Sequence, residues 1–103
     1  MAQNEIAEKV GAAWGLLRQG NYDGAIAQFT ALIRQEPNQI DAMYGLGLAQ
    51  RSSGLKDAAV KTFEDCRATV NRALAENPGD DKFEILQRMV SQRLSELGVG
   101  TGK

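Results

Sequence analysis

The sequence contains no histidine and only one cysteine, Cys66. Histidine is the usual general base near neutral pH and the commonest protein ligand of metal ions, so its absence removes both roles. A Ser-His-Asp or Cys-His catalytic arrangement is therefore impossible. One cysteine without histidine also cannot build a closed zinc site or an internal disulfide. We interpret Cys66 as a small apolar residue that fills a buried helix face.

The sequence also lacks a long apolar run and an excess of either charge. No segment is apolar over the length that a bilayer requires. The N-terminal stretch Met-Ala-Gln-Asn-Glu-Ile is polar and acidic on the whole, and it does not resemble a secretory signal. Twelve basic residues against thirteen acidic ones give a formal net charge of −1. Nucleic-acid binding needs a concentrated basic surface. We therefore expect no nucleic acid and no membrane among the partners, and a cytoplasmic location.

Paired catalytic side chains are missing as well. Glu64 and Asp65 are adjacent, so on a helix they point to different sides and cannot act together. The spacings of Arg67 with Arg72 and of Arg88 with Arg93 fit solvated helix faces in which basic and acidic residues alternate, and an anion site is the less favoured alternative. We expect no enzymatic activity, no cofactor, no metal and no small-molecule substrate.

Proline is scarce, and together with glycine it divides the chain into helices. Pro37 and Pro78 are the only prolines, and the residue before a proline is pushed out of the helical region. Apolar residues recur at a spacing of three to four between these breaks, which indicates helices and no strand. The predicted helices cover residues 4–19, 21–35 and 38–52, then residue 55 to shortly before Pro78, and 81–97.

An internal repeat appears when the sequence is shifted by thirty-four residues. Among the identities at this offset are Gly11 with Gly45, Gly20 with Gly54, and Phe29 with Phe63. A fixed period of this length is typical of stacked helical hairpins. We expect one domain over 1–97, with repeats over about 5–37 and 38–77 and a capping helix over about 80–97, and then a flexible tail over 98–103. The fourth helix should be about two turns longer than the second, because Pro78 lies seven residues beyond the position that corresponds to Pro37.

The repeated residues resemble the tetratricopeptide repeat family. Ala25 and Phe29 form its Ala-x-x-x-Phe pair, which is followed by Pro37 and recurs at Ala59 and Phe63. Met43-x-x-Leu46-Gly47-x-x-Gln50 corresponds to its earlier motif, with Met43 at the Trp position and Gln50 at the Tyr position. The resemblance implies an all-α superhelix of two helix-turn-helix repeats closed by a fifth helix.

The resemblance also implies a protein-binding surface on the concave face, which the first helix of each repeat lines. If the Met43 and Leu46 side of the third helix is buried, the opposite stripe faces the concavity. Trp, Tyr and Arg are the residue types that contribute most to protein binding, and they are present on this stripe. The candidate partner-binding residues are Val10, Trp14, Leu17, Arg18, Tyr44, Leu48 and Arg51.

The ligand that this stripe favours is apolar or amphipathic. Some family members hold the C-terminal carboxylate of a partner with basic and amide side chains. The residues at the corresponding positions here carry neither a basic group nor an amide. We therefore expect a helical or extended apolar segment of another protein, with Arg18 and Arg51 reading acidic residues at its edge. Two alternatives stay open, because the same face could form a homodimer or be covered by the chain's own fifth helix.

Overall fold

The chain folds into five α-helices, which a computed structural model describes over residues 3–99. The helices are α1 (Gln3–Arg18), α2 (Tyr22–Gln35), α3 (Ile40–Ser52), α4 (Lys56–Glu76) and α5 (Asp81–Glu96), and no strand occurs within that range. Each helix packs against the next, and α1 also contacts α3. The predicted all-α fold of two helical hairpins and a fifth helix is confirmed.

The two hairpins turn in the same way. Gly20 and Gly54 adopt φ values of 83° and 85°, a left-handed conformation that glycine reaches without steric penalty. The Asn21 N–H then donates to the Leu16 carbonyl, and the Leu55 N–H donates to the Gln50 carbonyl. Each bond spans six residues, as in a Schellman motif. Both glycines therefore end a leading helix and reverse the chain, as their repeated positions predict.

Polar side chains cap the starts of α2, α3 and α5. Asn21 caps α2 as its sequence suggests, with its side-chain oxygen accepting from the Gly24 N–H at 3.0 Å. Gln39, and not Asn38, caps α3 by accepting from the Asp41 N–H at 3.3 Å. Asp80, and not Asp81, caps α5 by accepting from the Lys82 N–H. These polar caps satisfy backbone donors that a helix cannot bond internally.

The extra length of α4 moves α5 along the chain without changing its role. Helix α4 has 21 residues where α2 has 14, so α5 follows Pro78 at the same distance as α3 follows Pro37. Because α5 packs on α4 as α3 packs on α2, α5 stands where the first helix of a third repeat would stand. Val99 packs beyond its end against the core, within the predicted tail, and residues 100–103 lie outside the described range.

The core consists of two clusters on either side of α3. Phe29 is fully buried in the first and Phe63 in the second, and Ile33 touches both. Each ring lies directly on the α3 backbone at a glycine. A Cβ atom at Gly45 would overlap the Phe29 ring, and one at Gly47 would lie 2.6 Å from two ring atoms of Phe63. Helix α3 therefore needs both glycines so that the neighbouring helices can approach closely.

Gly45 and Gly11 form a matched pair for testing this packing. They occupy equivalent positions thirty-four residues apart, but nothing lies within 4 Å of a Cβ built at Gly11. We expect Gly45→Ala to lower the free energy of unfolding, because overpacking a rigid core costs about 1–3 kcal/mol and outweighs the gain in helix propensity. Gly11→Ala should raise it by about 0.5–1 kcal/mol, because alanine loses less backbone entropy than glycine in a helix. Urea unfolding followed by circular dichroism measures both, and changes of the same sign would contradict this account.

Candidate protein-binding groove

A groove of about 740 Å³ opens between the leading helices α1, α3 and α5. Its walls carry Trp14 from α1, Tyr44 from α3, and Ile85 and Met89 from α5. Most of the lining is apolar, and polar side chains gather toward the start of α3 and α5. The remaining lining residues are Asn38, Gln39, Ile40, Asp41, Lys82, Phe83 and Leu86.

Trp14 and Tyr44 are held in the groove wall by the core rings beneath them. The Trp14 ring meets Phe29 edge-on, with centroids 5.5 Å apart and an interplanar angle of 79°. The Tyr44 ring meets Phe63 at 5.7 Å and 63°. Such edge-to-face pairs are favourable beyond the area that they bury. Both residues are partly buried, so each belongs to the core on one side and to the groove on the other.

Helix α5 supplies the wall opposite Trp14. Ile85 and Met89 are 49% and 39% exposed, so much of their apolar surface is in contact with solvent. They lie one turn apart, and the offset of forty-one residues from α3 to α5 aligns them with Tyr44 and Leu48. Lys82 at the start of α5 lies over the Phe83 ring, 4.8 Å from its centroid. The groove is thus an apolar channel with charged groups at one end.

The other five sequence candidates do not line the groove. Val10 is only 7% exposed and belongs to the first core cluster, so its surface is used inside the protein. Leu17 and Leu48 are partly buried and pack against the first and second clusters respectively. Arg18 is exposed at the end of α1. Of the seven candidates, the structure brings Trp14 and Tyr44 together in one cavity.

Arg51 makes a contact that the sequence did not indicate. Its Nη1 donates to Oε1 of Glu96 at 3.0 Å, and Nη2 of Arg93 donates to Oε2 of the same carboxylate at 2.9 Å. The bridge joins α3 to the last turn of α5. Because the three side chains remain partly exposed, the stabilisation is modest. The Arg51 guanidinium is therefore already engaged within the chain.

The α5 residues of the groove were missed because the repeat was followed at a constant period. When the sequence is shifted by thirty-four residues, Tyr44 aligns with Pro78, which precedes α5, and with no residue of α5 itself. The two prolines carry the missing signal, since aligning Pro37 with Pro78 shifts the register by forty-one residues and aligns Ile85 with Tyr44.

The one cysteine is buried, and the described residues form no cluster of metal-ligating side chains. Cys66 lies in the second core cluster, where burial raises the pKa of its thiol from 9.0 to about 12. Its Sγ contacts the Ile40 carbonyl at 4.0 Å. Over residues 3–99 no three side chains of the metal-ligating types cluster together. None of the helices described there has the length and apolar content needed to cross a bilayer.

Comparisons with known proteins relate both the sequence and the fold to one family. A family model described as a tetratricopeptide repeat matches residues 10–81. Human tetratricopeptide repeat protein 13 is 32% identical over 91 residues, which cover 88% of this chain and 10% of the human protein. The chain therefore spans about a tenth of the length of that relative. These matches agree with the resemblance found in the sequence.

A solved structure shares the fold at low identity. It is the crystal structure of the type III secretion translocator chaperone SycD from Yersinia enterocolitica, described as an alternative dimer. The TM-score is 0.59 and the identity 16%, with 95% of each chain covered. At this identity the likeness concerns the helical arrangement alone.

The environment of Cys66 predicts a thiol that does not react in the folded protein. Raising the pKa from 9.0 to about 12 lowers the reactive thiolate fraction at pH 8 roughly a thousandfold. We expect no measurable reaction with Ellman's reagent at pH 8 without urea, and rapid reaction after unfolding. The same shift predicts stability that is intact below pH 9 and declines as the pH rises toward 12, because the unfolded chain loses the proton first. Rapid labelling of the native protein would show that Cys66 is accessible.

Proposed function

This chain belongs to the tetratricopeptide repeat family, and from that premise we propose that it binds an apolar or amphipathic helical segment of another protein. Membership of this family supports a role for the chain as a protein–protein interaction module. The binding surface in this proposal is the groove between α1, α3 and α5. Trp14, Tyr44, Ile85 and Met89 are its main contacts.

The exposed pair on α5 is the observation that carries the proposal. Ile85 and Met89 leave large apolar surfaces in contact with water, and burying apolar surface is favourable by about 25 cal/mol per Å². They face a cavity of about 740 Å³ whose other walls are Trp14 and Tyr44. An amphipathic helix fits such a site, because its residues at i, i+3, i+4 and i+7 form one apolar ridge.

The rigidity of the aromatic contacts favours tight binding. Trp14 and Tyr44 are already packed against Phe29 and Phe63, so little side-chain freedom remains to be lost when a partner arrives. In this proposal Val10, Leu17 and Leu48 contribute indirectly. They pack in or against the core clusters that support the groove wall, and they do not contact the partner. In this proposal Arg18 lies at the rim, and Arg51 fixes α5 through Glu96.

A pair of serine substitutions tests the groove with a matched control. We expect Ile85→Ser with Met89→Ser to weaken binding of a designed amphipathic peptide, with a leucine face and glutamine flanks, by at least about tenfold, or about 1.4 kcal/mol. Leu55→Ser removes an equally exposed side chain, 49% exposed, that lines none of the described cavities. It should leave binding unchanged.

Fluorescence of Trp14, the only tryptophan, and calorimetry both measure this binding. All variants should keep the helical content of the wild type, since the three positions are exposed. Unchanged affinity in the double variant, or no peptide binding to the wild-type protein, would contradict the proposal. Trp14→Ala and Tyr44→Ala are weaker tests, because each removes a core contact together with a groove contact.

Self-association through the same face is the second candidate function. The exposed Ile85 and Met89 favour it, and the solved structure with the shared fold is described as a dimer. In this proposal the fifth helix does not cover the groove by itself, which is supported by the position of its apolar pair in the lining of the cavity. A homodimer would bury that pair against a second copy.

Light scattering after size exclusion separates the two candidates. For the interaction module we expect a monomer of 11.2 kDa at every concentration in a dilution series. A dimer that dissociates on dilution, and that Ile85→Ser with Met89→Ser converts to a monomer, would instead favour self-association. Leu55→Ser again serves as the control.

A further inference from the structure

A second recess of about 340 Å³ adjoins the groove and differs from it in chemistry. Tyr44 and Met89 line both cavities, so the two are adjacent. The remaining lining residues of the recess are Arg88, Gln92 and Arg93. No acidic side chain is among them, although the whole chain has a net charge of −1.

Arg93, which lines the recess, has one hydrogen-bond donor that the chain leaves unpaired. Its Nη2 is bonded to Glu96, but its Nε is buried and meets no hydrogen-bond acceptor among the described residues. Buried donors in folded proteins are nearly always paired, and one without an acceptor is unfavourable. Because the Nε atom has almost no surface open to solvent, an acceptor from a bound molecule reaches it only if the Arg93 side chain shifts.

Arg88 adds a second positive charge without a counterion. Its side chain is exposed, and over the described residues no carboxylate lies within 4.0 Å of it, since the ion pairs there involve Arg51, Lys61 and Arg93. The Gln92 amide offers a further donor at the same edge. The recess thus combines two guanidinium groups with an amide, a set of donors that suits a carboxylate.

The Glu96 carboxylate already forms hydrogen bonds to two arginines on this side of α5. One of its oxygens accepts from Arg51 and the other from Arg93. Even so, the Arg93 Nε and the Arg88 guanidinium remain unpaired with any described carboxylate. The positive charge of this wall therefore exceeds what the chain itself neutralises.

We propose that the recess binds a Glu or Asp side chain of the partner, so that the segment in the groove is an acidic amphipathic helix. This inference rests on the proposed function, because the helix lies in the groove with its apolar ridge between Trp14 and Met89. Residues on the flank of such a helix pass over Arg88 and Arg93, where a carboxylate accepts from both. Arg88 and Arg93 then select partners with acidic side chains, while the groove selects partners with the matching apolar pattern.

Two designed peptides test the inference. They share the same leucine face, carry either glutamate or lysine on the flanks, and have blocked termini so that only side chains are charged. We expect the glutamate peptide to bind the wild-type protein about tenfold more tightly than the lysine peptide, with a preference that weakens as salt is added. Arg88→Glu should abolish or reverse that preference.

Arg34→Glu is the matched control. Arg34 is exposed in the last turn of α2 and lines none of the described cavities, so the same charge change there should leave the preference intact. The resonance of the Arg93 Nε–H in a proton–nitrogen correlation spectrum provides a direct readout. It should shift further when the glutamate peptide is bound than when the lysine peptide is bound to the same saturation.

The outcomes distinguish this inference from the proposed function. If both peptides bind with equal affinity and both change Trp14 fluorescence, the groove binds helices but the recess does not read charge, and the inference is wrong. Failure of both peptides to bind would overturn the proposed function and the inference with it. A charge preference that Arg34→Glu removes as completely as Arg88→Glu would mean that net charge, and not the recess, selects the partner.

Discussion

The contact of two phenylalanine rings with the backbone of α3 is the constraint on which the rest of the structure depends. Phe29 lies on Gly45 from one side and Phe63 lies on Gly47 from the other. Because a glycine has no side chain to hold the neighbouring helix away, each ring reaches the α3 backbone itself. Protein interiors are close-packed, so these two contacts set how near α2 and α4 come to α3. The hairpins on either side are positioned accordingly.

The candidate groove follows from the same two rings. Trp14 packs edge-on against Phe29, and Tyr44 packs edge-on against Phe63. The groove wall is therefore an extension of the core and not an independent surface. This coupling makes the wall rigid, and it also explains why only a residue such as Met89, with much exposed surface, can be changed without disturbing the fold.

Helix α5 gives the groove its third side and its charge. A single carboxylate, Glu96, joins Arg51 of α3 to Arg93 of α5, while α5 packs its Val90 and Leu94 into the second cluster. The opposite side of α5 carries Ile85 and Met89 toward the groove. One helix thus closes the core with one face and offers an apolar wall with the other.

Local patterns in the sequence were sufficient to determine the five helices, the turns at Gly20 and Gly54, and the repeat family. Such features depend on residues close together in the chain, such as a glycine with positive φ or an apolar spacing of three to four. Trp14 and Tyr44 were also identified from their place on a helix face. Tertiary structure alone decided that Val10 is core, that Arg51 is paired with Glu96, and that Ile85 and Met89 complete the groove. Those outcomes depend on where α5 packs. Pro78 indicates the extra length of α4, but it does not indicate which side chains of α3 and α5 meet, because these lie more than forty residues apart in the chain.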